Sequence, residues 1–243
     1  MSIIAITNQK GGVGKTTTVL NVAAYWALMK KRVLVVDIDP QGNASSVLSQ
    51  APGNGSVFVG GKPQPSKIEN LWIIPSDEDL IDCEGRLVHT SGGKLLLKNA
   101  LSQLQTDYDY ILIDCPPSLT VLTMNALLAA DTLVVPIQCE YFAMEGLGQL
   151  LARIEDVQAT ENIGVRHVRI LLTMCDNSKP FARQVAAEIY KHFGPQVFRT
   201  QIPRDIALAA APSHGQTIVA YDPLSSGGLA YLSLTKELCH GPL

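Results

Sequence analysis

Ile3-Ile4-Ala5-Ile6-Thr7-Asn8-Gln9-Lys10-Gly11-Gly12-Val13-Gly14-Lys15-Thr16-Thr17 is the stretch that decides the fold. Residues 3–7 are an apolar, β-branched run that reads as a strand. A glycine-rich turn follows, and then a good helical stretch over residues 15–29. In this order the glycines let backbone N–H groups close around a phosphate, and the helix N-terminus adds its positive dipole end. Lys10, Gly11, Gly12, Val13, Gly14, Lys15, Thr16 and Thr17 therefore form a candidate nucleotide loop. Lys15 is expected to reach the β- and γ-phosphates and the Thr16 hydroxyl to ligate Mg²⁺. The pattern G-x-x-x-x-G-K-[ST] fails at its first position, which falls on Gln9, and a second lysine, Lys10, stands immediately before Gly11. A chance glycine-rich turn would not place lysines, glycines and threonines in register between a strand and a helix.

Outward from the loop, apolar runs alternate with helix-period stretches. Strands are expected at residues 3–7, 33–37, 71–75, 110–114, 132–136, 169–173 and 197–200, and helices at 15–29, 94–104, 121–129, 146–157 and 181–192. Several strand runs are apolar on both faces, as parallel strands covered on each side require. The alternation predicts an α/β fold: a single-domain, doubly wound, mostly parallel sheet with helices on both faces. Residues 51–65 are rich in Gly, Pro and Ser and read as a surface excursion, so residues 1–243 form one expected domain.

Carboxylates stand where phosphate chemistry needs them. Asp114 closes the run Tyr110-Ile111-Leu112-Ile113 and can hold Mg²⁺ through its water shell. Asp37 and Asp39 follow Val33-Leu34-Val35-Val36, and either can orient a water for in-line attack. A lone Asp at a strand end is commonly a turn former; two such stations beside a phosphate loop favour chemistry.

Composition narrows the class. Hydrophobic residues make up 47% and charged residues 17% of 243, with a formal net charge of −3. This suits a packed α/β protein and argues against a globally basic nucleic-acid binder, though a local basic face is compatible with it. Residues 1–6 lack a basic n-region and are too short to cross a bilayer, so no signal or anchor is expected. The five cysteines, Cys83, Cys115, Cys139, Cys175 and Cys239, show no zinc or disulfide spacing and read as reduced packing residues. The histidines show no ligand spacing, and Trp26 and Trp72 read as core.

Together the loop, Val36-Asp37-Ile38-Asp39-Pro40-Gln41-Gly42-Asn43 and Ile113-Asp114-Cys115-Pro116-Pro117-Ser118 resemble the deviant Walker A ATPases of the ParA/MinD group. Residues 136–146, Ile202-Pro203-Arg204, Ala211-Pro212-Ser213-His214-Gly215 and Tyr221-Asp222-Pro223 make the likeness closest to ParA (Soj-like) partition ATPases. The resemblance implies a cytoplasmic, nucleoid-associated, Mg²⁺-dependent ATP hydrolase with weak intrinsic activity. It implies a homodimer with ATP sandwiched, non-specific DNA binding in the ATP state, and a ParB-like activator that drives plasmid or chromosome segregation. Lys10 resembles the signature lysine that reaches the partner subunit's phosphates, the role an arginine finger plays elsewhere. Lys15 and Asp39 complete the implied catalytic set, with Asp39 on the attacking water and Asp37 as an outer-shell or structural carboxylate. Pro203 and Asp205 occupy the adenine-contacting positions, where Asp replaces the usual Asn and can accept but not donate. His214 reads as a turn residue near that base pocket.

Residues 166–204 are locally basic: Arg166, Arg169, Lys179, Arg183, Lys191, Arg199 and Arg204 outnumber Asp176 and Glu188, and Lys179, Arg183, Lys191 and Arg199 are the candidate DNA contacts. Ala207, Leu224 and Ser226 are neutral where Soj-like proteins are often basic. Other functions on the same core are a ParA-like cargo-positioning ATPase, a MinD-like membrane-positioning ATPase and an iron–sulfur reductase. A MinD-like protein needs a basic amphipathic C-terminal helix; residues 230–239 carry one lysine beside one glutamate and read as a last core helix, so no membrane partner is expected. Cys115 and Cys139 are better explained by packing than by a cluster.

Overall fold

A computed structural model describes residues 2–51, 55–77, 79–104, 106–140, 143–161 and 165–239. Residues 52–54 of the expected excursion, Tyr141 and Phe142 of the resemblance segment, and His240 lie outside the described residues. In chain order the elements are β1 (Ser2–Ile6), α1 (Lys15–Leu28), β2 (Val33–Asp37), α2 (Asn43–Leu48), β3 (Gln64–Pro65), β4 (Leu71–Ile74), α3 (Asp79–His89), α4 (Leu96–Ser102), β5 (Tyr110–Asp114), α5 (Val121–Ala129), β6 (Thr132–Gln138), α6 (Ala143–Glu161), β7 (His167–Thr173), α7 (Pro180–Phe193), α8 (Ile206–Ala210), α9 (Ile218–Tyr221) and α10 (Ser226–Cys239).

The strands form one seven-stranded sheet in the order β3-β4-β2-β5-β1-β6-β7. All pairings are parallel except the antiparallel edge pair β3–β4. Period-two alternation splits the strand residues between two cores. Ile3, Ala5, Leu34, Val36, Ile111 and Ile113 pack with apolar residues of α3 to α7. Ile4, Ile6, Val33, Val35 and Leu112 pack on the other face with α1, α2 and residues of α8 to α10. This is the expected doubly wound α/β architecture. β1 lies between β5 and β6, so its C-terminal end opens at the middle of the sheet, where such folds bind ligands.

Differences from the sequence reading have physical causes. The expected strand at 197–200 is a single bridge, Ile170 to Val197. Phe198 N still donates to the Ile170 carbonyl at 2.9 Å, but the next inward N–H, that of Thr200, donates to Glu237 of α10 at 3.0 Å instead of to β7. The excursion at 51–65 contains a short 3₁₀ turn, Val57–Val59, and the edge strand β3. α3, unanticipated, buries only Leu80, Cys83 and Leu87. Trp26 is fully buried and stacks on Tyr110 at 3.9 Å.

Candidate active site

The loop leaves β1 and enters α1 through Gly12 (φ 71°) and Gly14 (φ 94°), in left-handed backbone that L side chains avoid. Gly14 is the N-cap of α1, and no side chain caps that end, so the helix N–H groups face the loop. Side chains from distant strands hold the loop in shape. The Thr173 hydroxyl at the end of β7 lies 2.9 Å from the Val13 carbonyl and 3.1 Å from that of Ile137. Gln138 Nε2 donates to the Gly12 carbonyl at 3.1 Å, and Asn8 Nδ2 to the Pro136 carbonyl at 2.7 Å. Thr18 caps the arrangement through the Gly14 carbonyl and Tyr231 of α10.

The two lysines point apart. Lys15 is buried, and its Nζ donates back into the loop to the Lys10 carbonyl at 3.3 Å. Burial lowers its pKa against the opposing pull of Asp114 and Asp39. Lys10, by contrast, is 57% exposed, and its Nζ rests on Glu140 at 2.8 Å and on Gln138 Oε1 at 3.4 Å.

The carboxylates stand at one strand end, Asp37 and Asp114 as register partners across β2 and β5. Asp37 is satisfied: Oδ1 accepts from Asp39 N at 3.1 Å, and Oδ2 accepts from Ser45 N at 2.8 Å and Ser45 Oγ at 2.7 Å. Burial nevertheless pushes it up to about 6, and nearby Asp39 adds to the rise. Asp39 uses Oδ1 to accept from Gln41 N at 3.0 Å, leaving Oδ2 with no hydrogen-bond partner among the described residues. Its carbonyl is held by Gly42 N and the Ser76 hydroxyl.

Asp114 differs from both. Its two oxygens are sealed from solvent and, among the described residues, lack a hydrogen-bond partner of good geometry. Burial, then the charge of Asp37, raises its pKa well above the carboxylate range, while the Thr16 hydroxyl and, more weakly, Lys15 pull the other way. Orphaned buried oxygens are costly unless something compensates them. Set beside a threonine hydroxyl, they fit the water shell of a divalent cation. Among the described residues no three His, Cys, Asp or Glu side chains form a metal cage of their own. Mg²⁺ keeps its waters and takes few protein ligands beside a substrate phosphate.

Asp114 links stability to pH. Its folded pKa is raised, so the stability linked to it is present below the unfolded value of 3.8 and is lost as pH rises toward the folded one. The ligand-free Asp114→Asn variant should therefore gain Tm over the parent, with a gain that grows as pH is raised above 3.8. A pH-independent difference in thermal melts overturns this account of the buried carboxylate.

A cavity of about 230 Å³ adjoins the loop, lined among others by Gly14, Thr17, Met174, Pro203, Asp205 and Leu208. Pro203 and Asp205 are thus brought beside the phosphate loop, though Asp205 has structural commitments. Its Oδ1 accepts from Ala207 N at 2.8 Å as the N-cap of α8, and Oδ2 accepts from Ser226 Oγ and Gly227 N, each at 2.7 Å. Against the cost of burial, these bonds hold its pKa below the usual value. His214 lies in the expected turn, stacked on Tyr221 at 5.2 Å, and is not among the residues lining this cavity. A larger cleft of about 600 Å³ opens at the other end of the strands, around Ser2, Tyr110, Thr132 and His167, and holds no loop residue.

An AAA domain family model matches residues 1–167. The sporulation initiation inhibitor protein Soj of Bacillus subtilis (strain 168) is 48% identical over 246 residues, covering 97% of each chain. The chain belongs to the ParA/Soj family of partition ATPases. The chromosome-partitioning ATPase Soj of Thermus thermophilus is 46% identical over 97% of this chain and 94% of its own. Among solved structures, cobyrinic acid a,c-diamide synthase from Mycobacterium smegmatis with bound ADP and magnesium superposes with a TM-score of 0.82 at 33% identity, covering 99% of this chain and 94% of that one.

The basic residues expected to meet DNA in a ParA/Soj protein are only partly available. Lys179 pairs with Asp176 at 3.4 Å and Lys191 with Glu188 at 3.9 Å, and Arg183 donates to the Asn177 carbonyl at 2.7 Å. These three and Arg199 remain on the surface in or near α7. Arg169 does not: it lies 4.2 Å over the Phe198 ring and 3.6 Å from Glu237, so the apparent basic excess of the sequence overstates the surface charge. Sequence reasoning also missed Glu140, Gln138, Ser45 and Thr173 as individual site residues. Gln138 and Glu140 stood inside the ParA-like segment, but their bonds to the loop span over a hundred residues, and no local pattern signals them. Among the described residues no helix is long and apolar enough to cross a membrane.

Proposed function

We propose that this ParA/Soj chain, one ATPase domain over residues 1–243, binds ATP–Mg²⁺ and dimerises with the nucleotides sandwiched. The dimer binds DNA non-specifically on the nucleoid, in the cytoplasm. A ParB-like partner stimulates its slow hydrolysis to segregate plasmid or chromosome DNA. The observation that carries this reading is the divergence of the two loop lysines, with Lys15 turned into the loop and Lys10 turned out of it.

The chemistry follows from that geometry. Backbone N–H groups at residues 11–17 cradle the phosphates, and Lys15 supplies a buried cation toward the β- and γ-phosphates. Thr16 and Asp114 would hold Mg²⁺, Asp114 through water and with Asp37 in support, and the bound ion would supply charge to neutralise the phosphates. Asp39 orients the attacking water with the oxygen it does not spend on Gln41. Lys10 swings from Glu140 to the partner's nucleotide and stabilises charge on the transferred phosphoryl group. Pro203 packs on the adenine, and Asp205 has one lone pair left on Oδ1 to accept from its amino group.

Asp39→Ala is expected to retain ATP and accumulate as an ATP-bound dimer. Size-exclusion chromatography with light scattering and a turnover assay check this, and parental turnover removes Asp39 from the mechanism. DNA binding is tested by retention on random-sequence DNA with ATP as salt is raised. Because each phosphate contact contributes about −0.9 to the slope of log K against log salt, the few exposed cations in and near α7 predict a shallow dependence. Ile206 and Leu224 are 87% and 79% exposed beside neutral Ala207 and Ser226, which favours a second reading, a cargo-positioning ATPase that docks protein. ATP-dependent dimers that are never retained on DNA at low salt exclude partition and leave that reading.

A further inference from the structure

Two buried thiols flank the site without a role in the chemistry above. Cys139 follows the last residue of β6 and Cys175 lies just beyond β7; they are 8% and 6% exposed, and their sulfurs lie 3.3 Å apart. Strand register alone would not bring them together. Gln138 pairs with Thr173, so straight strands would set Cys139 opposite Met174. Met174 instead takes φ 50°, a left-handed conformation uncommon for a residue with a side chain, and this bend sets Cys175 against Cys139. Backbone bonds fix the bend, from Cys175 N to the Ile202 carbonyl at 3.0 Å and from Arg204 N to the Cys175 carbonyl at 3.2 Å. A disulfide is about 2.0 Å long, so closure needs the sulfurs to approach by only about 1.3 Å. A cavity of about 250 Å³, lined by Cys139 with Gln138, Glu140, Met174, Asp176 and Lys179, gives a small oxidant a path to the first sulfur.

We propose that Cys139 and Cys175 close reversibly to a disulfide under peroxide, and that the closed form slows ATP hydrolysis by pinning the segment on which Lys10 rests. The second half rests on the assignment of Lys10 above. Cys139 sits between Gln138 and Glu140, the two residues that hold Lys10, and Gln138 also ties to the Met174 sulfur at 2.9 Å and to the loop carbonyl of Gly12. A covalent link from Cys139 to Cys175 therefore fixes both holders of Lys10 to the end of β7.

Either sulfur can donate across the 3.3 Å contact; with the proton kept on Cys175 and shared toward Cys139, the pair lowers the pKa of the Cys139 thiol and raises that of Cys175, so Cys139 is the nucleophile. The Cys139 thiolate attacks one oxygen of hydrogen peroxide and breaks the O–O bond. A sulfenic acid forms, and hydroxide leaves and takes up a proton to become water. The Cys175 sulfur then displaces the sulfenic hydroxyl, which departs as water with the Cys175 proton, and the S–S bond forms. Two thiols are oxidised to one disulfide, and one peroxide is reduced to two waters.

The test uses the full chain in reduced form, treated with hydrogen peroxide, alkylated and mapped by mass spectrometry, with ATP turnover and nucleotide binding measured in parallel. The expected result is a crosslinked peptide pair joining Cys139 to Cys175 and about 100-fold slower turnover, the scale of loss that a misplacement near 1 Å brings. Nucleotide binding should be retained, and dithiothreitol should restore turnover. Cys175→Ala and Cys139→Ala should be as active as the parent before oxidation and insensitive to it. If peroxide yields only sulfinic or sulfonic acid at these positions, or pairs either with another cysteine, the thiol-pair assignment is overturned. A correct crosslink with unchanged turnover overturns the regulatory half. A reduced protein that binds but never hydrolyses ATP faults the ATPase reading, while the crosslink map still decides the thiol pair.

Discussion

Lys15→Ala is expected to weaken ATP binding by at least about 30-fold, because losing one partner of a buried, hydrogen-bonded charge pair costs on the order of 2–5 kcal/mol. Lys15 is the one lysine in the loop whose charge is carried inside it, and it lies in the field of Asp114 and Asp39. Without it, the triphosphate meets those carboxylates with no side-chain cation between them. Backbone N–H groups remain, yet partial charges at a helix end do not replace a full charge. Equilibrium titration with a fluorescent ATP analogue measures the loss. Affinity within a few-fold of the parent would show that the loop holds phosphate by its backbone alone.

Lys10→Ala, only five positions away, should behave in the opposite way. Nucleotide binding should stay near the parental value while ATP turnover falls by about 10³-fold, the lower end of what a finger residue contributes. Within its own loop Lys10 is bonded through its backbone, its N–H donating to Asn8 Oδ1 and its carbonyl accepting from Lys15 Nζ, and the side chain that the substitution removes takes part in neither bond. Its ion pair with Glu140 is exposed on both sides, and such pairs are worth about 0–1 kcal/mol, so the side chain leaves Glu140 at little cost. Mixing Lys10→Ala with an Asp39→Ala subunit gives a sharper readout. If Lys10 acts across the dimer, mixed dimers join an intact Asp39 and an intact Lys10 at one of the two nucleotides and recover part of the activity. If it acts within its own subunit, each subunit of the mixed dimer carries its own defect and turnover stays lost.

The sheet was legible because its central strands are buried on both faces and read as unbroken apolar runs such as Val33-Leu34-Val35-Val36. The loop was legible because its chemistry is local: the glycines, lysines and threonines that act together are consecutive. What escaped is set by contacts distant in sequence. α8 is five residues long and exists because Asp205 caps it and ties it to α10, a relation that no window around residue 206 contains. Val197 and Phe198 are buried as strand residues would be, but Glu237, far along the chain, claims the Thr200 N–H that would have extended the sheet. α3 shows only a narrow apolar stripe on an otherwise polar helix. The Arg169 side chain counted as surface charge in the sequence because nothing near it announced Phe198 and Glu237 as its neighbours. In the candidate site, the three aspartates and two lysines could be assembled from strand ends, whereas the different bonding of Asp37 and Asp114 required coordinates.

The position of β1 at the centre of the sheet bears on the order in which the protein can be made. Its neighbours are β5 and β6, and the side-chain bonds Ile3–Asp131 and Asn8–Pro136 each span 128 residues. At a synthesis rate of roughly 5–20 residues per second, β1 and the phosphate loop wait on the order of ten seconds for those partners to be translated. During that interval an apolar strand and a glycine-rich loop have neither sheet nor nucleotide to hold them. A nascent chain stalled before residue 138 should therefore be captured by holdase chaperones and cleaved readily by protease near residues 8–14. Release of the chain past β6 should confer protection abruptly, in a single step of ribosome travel.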